Sequence, residues 1–112
     1  MKMDISEDDG LVKVRLTGRL DTPGVDAIET RFTAAVVPRS ARTIVDMSEV
    51  EFIGSLGLRM FITIARALNL RKGKMVLYAP QAFVAQVFAT SSLGDIIPVR
   101  PDAASAAAAA RA

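Results

Sequence analysis

The chain has 112 residues, of which 51% are hydrophobic and 23% charged. That is the size of one ordinary domain, with enough apolar material to offset the entropy of ordering it, and it excludes a disordered chain. Fourteen Lys and Arg against twelve Asp and Glu give a net charge of +2, and cysteine and histidine are both absent, which removes disulfide frameworks, thiol nucleophiles, zinc fingers and Ser-His-Asp triads together. With no basic stripe and few aromatic residues, nucleic acid is a poor partner, and the mixed charges of MKMDISEDDG argue against a signal peptide. No stretch approaches the ~18 apolar residues of a membrane span, so the expectation is a soluble cytoplasmic protein without direct membrane insertion.

In chain order, Leu11 to Thr17 alternates Val12, Val14 and Leu16 against Lys13, Arg15 and Thr17, as a strand buried on one face does. Ile5 begins a shorter strand that pairs with it across the Asp8, Asp9, Gly10 turn signal. Thr22 then reads as an N-cap and Pro23 as the first residue of a helix running to about Val37, with Val25, Ile28, Phe32 and Val36 as its apolar stripe. Pro38 stops it.

Thr43–Met47 and Lys74–Tyr78 are short apolar runs suited to strands covered on both faces. Between them, from Ser55 to Leu70, lies one long helical pattern, with Leu58, Ile62, Ala65 and Leu68 on the apolar face and Arg59, Thr63 and Arg66 as a polar stripe; Gly73 follows as its stop signal. Strand, helix, strand in that order predicts a right-handed crossover between parallel strands. A further helix is expected over Gln81 to Ser91, carrying Phe83, Val84, Val87 and Phe88. A last edge strand is expected around Ile96, Ile97 and Val99, limited by Pro98. The tail from 101 to 112 is Ala-rich with Pro101 and Asp102 at a helix start; a polyalanine helix of this length needs tertiary contacts to persist. The expectation is one α/β domain over 1–112, its core about residues 3–99, with a mixed sheet of four or five strands and helices mainly on one face.

Ser55 stands where a buried strand enters a helix, between Gly54 and Gly57. A helix start exposes unpaired N–H groups and partial positive charge, which favour an anion there, while from spacing alone Ser55 reads as an ordinary N-cap. No Lys follows the glycines and there is no GxGxxG, so a nucleotide loop is not indicated.

Three segments, LTGRLDT at Leu16 to Thr22, IVDMSEVEFIGSLGL at Ile44 to Leu58 and KGKMVLYAP at Lys72 to Pro80, resemble the STAS family, and within it the bacterial anti-sigma factor antagonists. The resemblance implies a STAS-like fold and a partner-switching role. In that family the serine matching Ser55 is phosphorylated by an anti-sigma factor that is itself a serine kinase; the unmodified antagonist binds the anti-sigma factor and phosphorylation breaks the complex. The implied partner-binding residues are Asp21, Gly54, Ser55, Leu56, Gly57, Arg59 and Met60, with the apolar side chains of Leu56 and Met60 beside the modified hydroxyl. Asp21 matches the family's GxLD motif, and supporting the helix start is its plainer role. Asp46 is expected to bond loop N–H groups around Ser48; Arg59, one turn after Ser55 on the same helix face, can pair with a phosphate or a partner carboxylate, and a solvated arginine is its plainer state. The chain departs from the family pattern at Gly54, where the motif has Asp, and at Leu56, where it has Ser or Thr. The alternative is a non-phosphorylated STAS interaction subunit of a transporter or sensory complex. An enzyme is not expected, because nothing is placed to activate Ser55 as a nucleophile, and no metal or cofactor is implied.

Overall fold

The computed structural model describes residues 1–112. Strand β1 (Lys2–Asp8) turns through Asp9 and Gly10 into β2 (Leu11–Leu20), and the pair is an antiparallel hairpin. Asp9 and Gly10 both have positive φ, 53° and 81°, which is the backbone a two-residue hairpin turn demands. The first strand is therefore longer than Ile5 onward, because its register with β2 extends to Lys2 opposite Thr17.

Helix α1 (Thr22–Val36) follows β2, and its N-cap is Asp21 rather than Thr22: the Asp21 carboxylate accepts from the Gly24 N–H at 2.9 Å. Strand β3 (Arg42–Ile53) is much longer than the apolar run suggested, since it pairs with β2 as far as Leu20 opposite Ile53 and accommodates polar residues at irregularities in that register. Helix α2 (Ser55–Leu70) and strand β4 (Lys74–Tyr78) complete the expected crossover, with β3 and β4 parallel. Next come α3 (Ala82–Thr90), a 3-10 turn (Ser92–Asp95), the two-residue strand β5 (Val99–Arg100) and α4 (Ala103–Arg111). Ile96 and Ile97 do not join the last strand; they follow the 3-10 turn, both N–H groups bond the Leu93 carbonyl, and Ile97 is buried.

The sheet runs in sequence order from β1 to β5, antiparallel only at the first pair. Alternation along the strands divides the interior in two. Val12, Val14, Val45, Met47, Met75 and Leu77 face the helices α1 to α3, and Phe32 of α1 meets Phe61 of α2 edge-to-face at 6.3 Å. Leu11, Ile44 and Val76 point the other way and are covered by Ala106 and Ala110 of α4. Helices thus lie mainly on one face, and the alanine tail docks on the second. Its start is capped by Asp102, which accepts from the Ser105 N–H at 2.8 Å, and its end is held by Arg42 donating to the Ala110 carbonyl and by Arg111 pairing with Asp9 at 3.2 Å.

The apolar stripe of α2 is rotated from the expected one. Gly57, Met60, Phe61, Ile64, Ala65 and Leu68 are buried, whereas Leu58 and Ile62 are only half-buried. Helical spacing permits either stripe, and the wedge between sheet and α1 accepts the one that contains Phe61. Arg59, Thr63 and Arg66 face solvent as expected.

Candidate functional site

Strands β2 and β3 run parallel and side by side, and each passes directly into a helix. Their last residues, Leu20 and Ile53, are register partners, and the Gly54 N–H donates to the Leu20 carbonyl at 3.0 Å. The starts of α1 and α2 consequently lie next to each other at one rim of the sheet. Leu20, Asp21, Thr22, Phe52, Gly54, Ser55 and Leu56 line a shallow depression there of about 230 Å³. The pairing of two strand ends, not any local signal, brings Asp21 to Ser55.

Ser55 is the first residue of α2 and is exposed. The N-cap is Gly54, which has no side chain to accept from the helix, so Ser55 is not the cap that spacing suggested and its hydroxyl has no hydrogen-bond partner within the chain. Gly54 has φ −103°, a conformation open to any residue, and a Cβ there would meet the Phe52 ring at 3.4 Å, an ordinary contact. Neither backbone nor space therefore demands glycine at the position where the family motif has an acid.

The remaining expected contact residues divide into two groups. Leu56 is half-buried and lines the depression, and Arg59 is exposed one turn further along α2. Met60 is only 1% exposed and Gly57 is buried, so neither presents a surface to a partner, contrary to expectation. Residues two and five beyond Ser55 on a helix lie on its far side from solvent once the Phe61 stripe is buried. At Gly57 a Cβ would sit 2.8 Å from Ile53 Cγ1 and 3.1 Å from Leu20 Cβ, so the lack of a side chain lets α2 approach the strand ends closely.

Asp21 takes the plainer role expected of it, capping α1, and it also lines the depression with Ser55. Its second oxygen lies 3.6 Å from Arg19 Nε. The Arg19 guanidinium in turn lies over the Phe52 ring at 4.5 Å, and Phe52 stacks on Phe83 of α3 with centroids 5.9 Å apart and rings 15° from parallel. Phe83 remains 47% exposed. This tier of Arg19, Phe52 and Phe83 was not legible in the sequence, because it depends on Arg19 and Phe52 being cross-strand partners in a parallel register.

Asp46 lies away from this rim, among the polar residues on the α4 side of the sheet. It accepts from the Ser48 N–H at 2.9 Å, as expected, and pairs loosely with Arg15 at 3.7 Å. Beside it the Tyr78 hydroxyl has its pKa raised, first by burial and then by the Asp46 carboxylate, with Arg15 opposing. No helix is long and apolar enough to cross a membrane.

The family model for the STAS domain matches residues 2–106. A candidate anti-sigma factor antagonist of Bordetella bronchiseptica, BtrV, is 29% identical over 109 residues, which is 97% of this chain and 94% of that one. Among solved structures, an anti-sigma factor antagonist from Mycobacterium paratuberculosis superposes with TM-score 0.82 at 25% identity, covering 99% of this chain and 94% of that chain. The phosphorylated form of the Bacillus cell fate determinant SpoIIAA shares the fold with TM-score 0.70 at 22% identity, covering 96% of this chain and 98% of that chain.

Proposed function

The chain belongs to the STAS domain family and is an anti-sigma factor antagonist-like member of it, and from that premise we propose that it is a partner-switching regulator controlled at Ser55. Unmodified, it binds an anti-sigma factor that is also a serine kinase; phosphorylation of Ser55 releases it. The observation that carries this reading is the exposed, unbonded Ser55 hydroxyl at the first turn of α2, with Leu56 and Asp21 around it. A group that neither caps its helix nor fills the core is accessible to a kinase without local unfolding.

The energetics favour release. A phosphate brings about −1.5 to −2 charges onto a rim whose apolar contact is Leu56. A partner seated on Leu56 would have to strip water from that charge, and an unpaired buried charge costs several kcal/mol. The protein itself needs no catalytic group for this; it is a substrate and a ligand.

The test is to incubate the chain with ATP and its cognate anti-sigma factor kinase and map the modified residue by mass spectrometry. Phosphate on Ser55 alone, with binding lost in Ser55→Asp and retained in Ser55→Ala, is the expected result. A chain modified nowhere, and bound equally well as Ser55→Asp, refutes the switch. Co-isolation with transporter subunits in place of a kinase would support the alternative role as an unmodified interaction subunit.

A further inference from the structure

Arg59 and Arg66 are the only arginines in the chain with neither an ion-pair nor a hydrogen-bond partner. Every other arginine has a carboxylate or a carbonyl to bind, from Arg15 on Asp46 to Arg111 on Asp9. Both uncommitted residues are exposed on α2, and they share the solvent face that begins with Ser55, with half-buried Leu58 and Ile62 between them. Two unneutralised guanidiniums flanking apolar side chains complement an acidic, apolar partner segment, since opposed potentials across an interface set register and speed of encounter.

Resting on the reading of Ser55 as the phosphoryl acceptor, we propose that Arg59 pairs with the phosphate on Ser55 and is thereby withdrawn from an acidic side chain of the anti-sigma factor. The spacing is the favourable one. Residues four apart on a helix have Cβ atoms about 5–6 Å apart, and an acid placed N-terminal to its base is the better order. A guanidinium also offers a fork of donors matched to phosphate oxygens. The charged pair at the depression is already engaged: Asp21 caps α1 and pairs with Arg19, while Arg19 also covers Phe52. Gly54 places no carboxylate beside Ser55 to compete for Arg59.

In the transfer itself a bond forms between Ser55 Oγ and the γ-phosphorus of ATP. The bond from that phosphorus to the bridging oxygen breaks, ADP leaves with the electron pair, and the hydroxyl proton is lost to solvent. Modification then acts twice on one strip, adding an anion at its start and cancelling the nearest cation.

The experiment installs phosphoserine at position 55 during synthesis, so that no kinase is required, and follows the phosphate by ³¹P NMR titration. Arg59→Gln is expected to tighten the second proton about two- to fivefold relative to the otherwise unaltered phosphorylated chain, the size of a charged pair four residues apart on a helix with a multiply charged acid. Arg59→Lys should fall between them, and Arg66→Gln should change nothing, being too far along the helix. Identical titrations with and without Arg59 overturn the pairing. In the unmodified chain, Arg59→Gln and Arg66→Gln should each weaken binding to the anti-sigma factor and flatten its salt dependence, whereas in the phosphorylated chain Arg59→Gln should make no further difference. Unchanged affinity in both unmodified variants overturns the acidic-partner assignment. A kinase that never modifies Ser55 refutes the proposed function instead, and leaves the NMR result to decide the pairing.

Discussion

The Gly54 N–H bonds the Leu20 carbonyl at 3.0 Å across the ends of two parallel strands. This one bond sits where β2 and β3 both stop, so it joins the two residues from which α1 and α2 depart. Parallel neighbours feeding parallel helices present two helix starts at the same rim, and that is why a capping carboxylate from one and a hydroxyl from the other share a depression.

Leu56 and Met60 are expected to respond in opposite ways. Met60→Ala should destabilise the fold by about 2–5 kcal/mol, because it empties space in a closed core, and should leave affinity for the partner unchanged under conditions where the variant is folded. Leu56→Ala should cost less than about 1 kcal/mol in stability and weaken the complex. Denaturant titration together with calorimetric binding separates the two; a Met60 variant that folds normally yet fails to bind would contradict its burial.

Restoring the family acid should stabilise the helix start. Gly54→Asp adds a side-chain cap and a carboxylate at the positive end of α2, worth about 0.5–1 kcal/mol together, and the Phe52 ring leaves room for it at 3.4 Å. Thermal unfolding should rise by about 2–5 °C for a chain of this size. In the phosphorylated chain the gain should shrink, because the new carboxylate then faces a phosphate.

At Gly57 the crowding has the opposite consequence. Gly57→Ala improves helix propensity by about 1 kcal/mol, but its methyl would press on Ile53 and Leu20, and overpacking costs about 1–3 kcal/mol. Chemical denaturation should show a net loss of stability; a gain would mean that the strand ends relax freely.

Asp21 carries a cap and a charge, and two substitutions tell them apart. Asp21→Ala should cost about 1 kcal/mol through the lost bond to the Gly24 N–H. Asp21→Asn keeps the cap and removes only the charge, so it should be nearly neutral in unfolding while altering the salt dependence of partner binding. If both variants unfold alike, the cap contributes nothing.

Acid should loosen the start of α4. Hydrogen bonds from Ser105 hold the Asp102 carboxylate below its ordinary pKa in the folded chain. Folding thus favours the ionised form: the contribution is complete above the unfolded chain's pKa and is lost as pH falls through the folded one. Amide exchange at Ala106 and Ala110 should accelerate as pH drops through that window after correction for intrinsic rates, and Asp102→Asn should remove the pH-dependent part.

Much of the architecture was readable from local pattern. Strict alternation in Val12, Val14 and Leu16, three-and-four spacing in Val25, Ile28 and Phe32, and an apolar run on either side of a long helical stretch each specify an element, because each depends only on neighbours along the chain. The helix start at Ser55 was visible for the same reason, and with it the residue on which the function is proposed to turn. Which side of α2 would be buried was not, since Leu58 and Ile62 fit the helical period as well as Phe61 and Ile64 do. That choice, like the length of β3, the meeting of Arg19 with Phe52, and the seating of an alanine helix over Ile44 and Val76, belongs to contacts between segments far apart in sequence. Periodicity assigns a residue to a face, but only the packing of one face against another determines what that face touches, and hence which arginines are left unpaired.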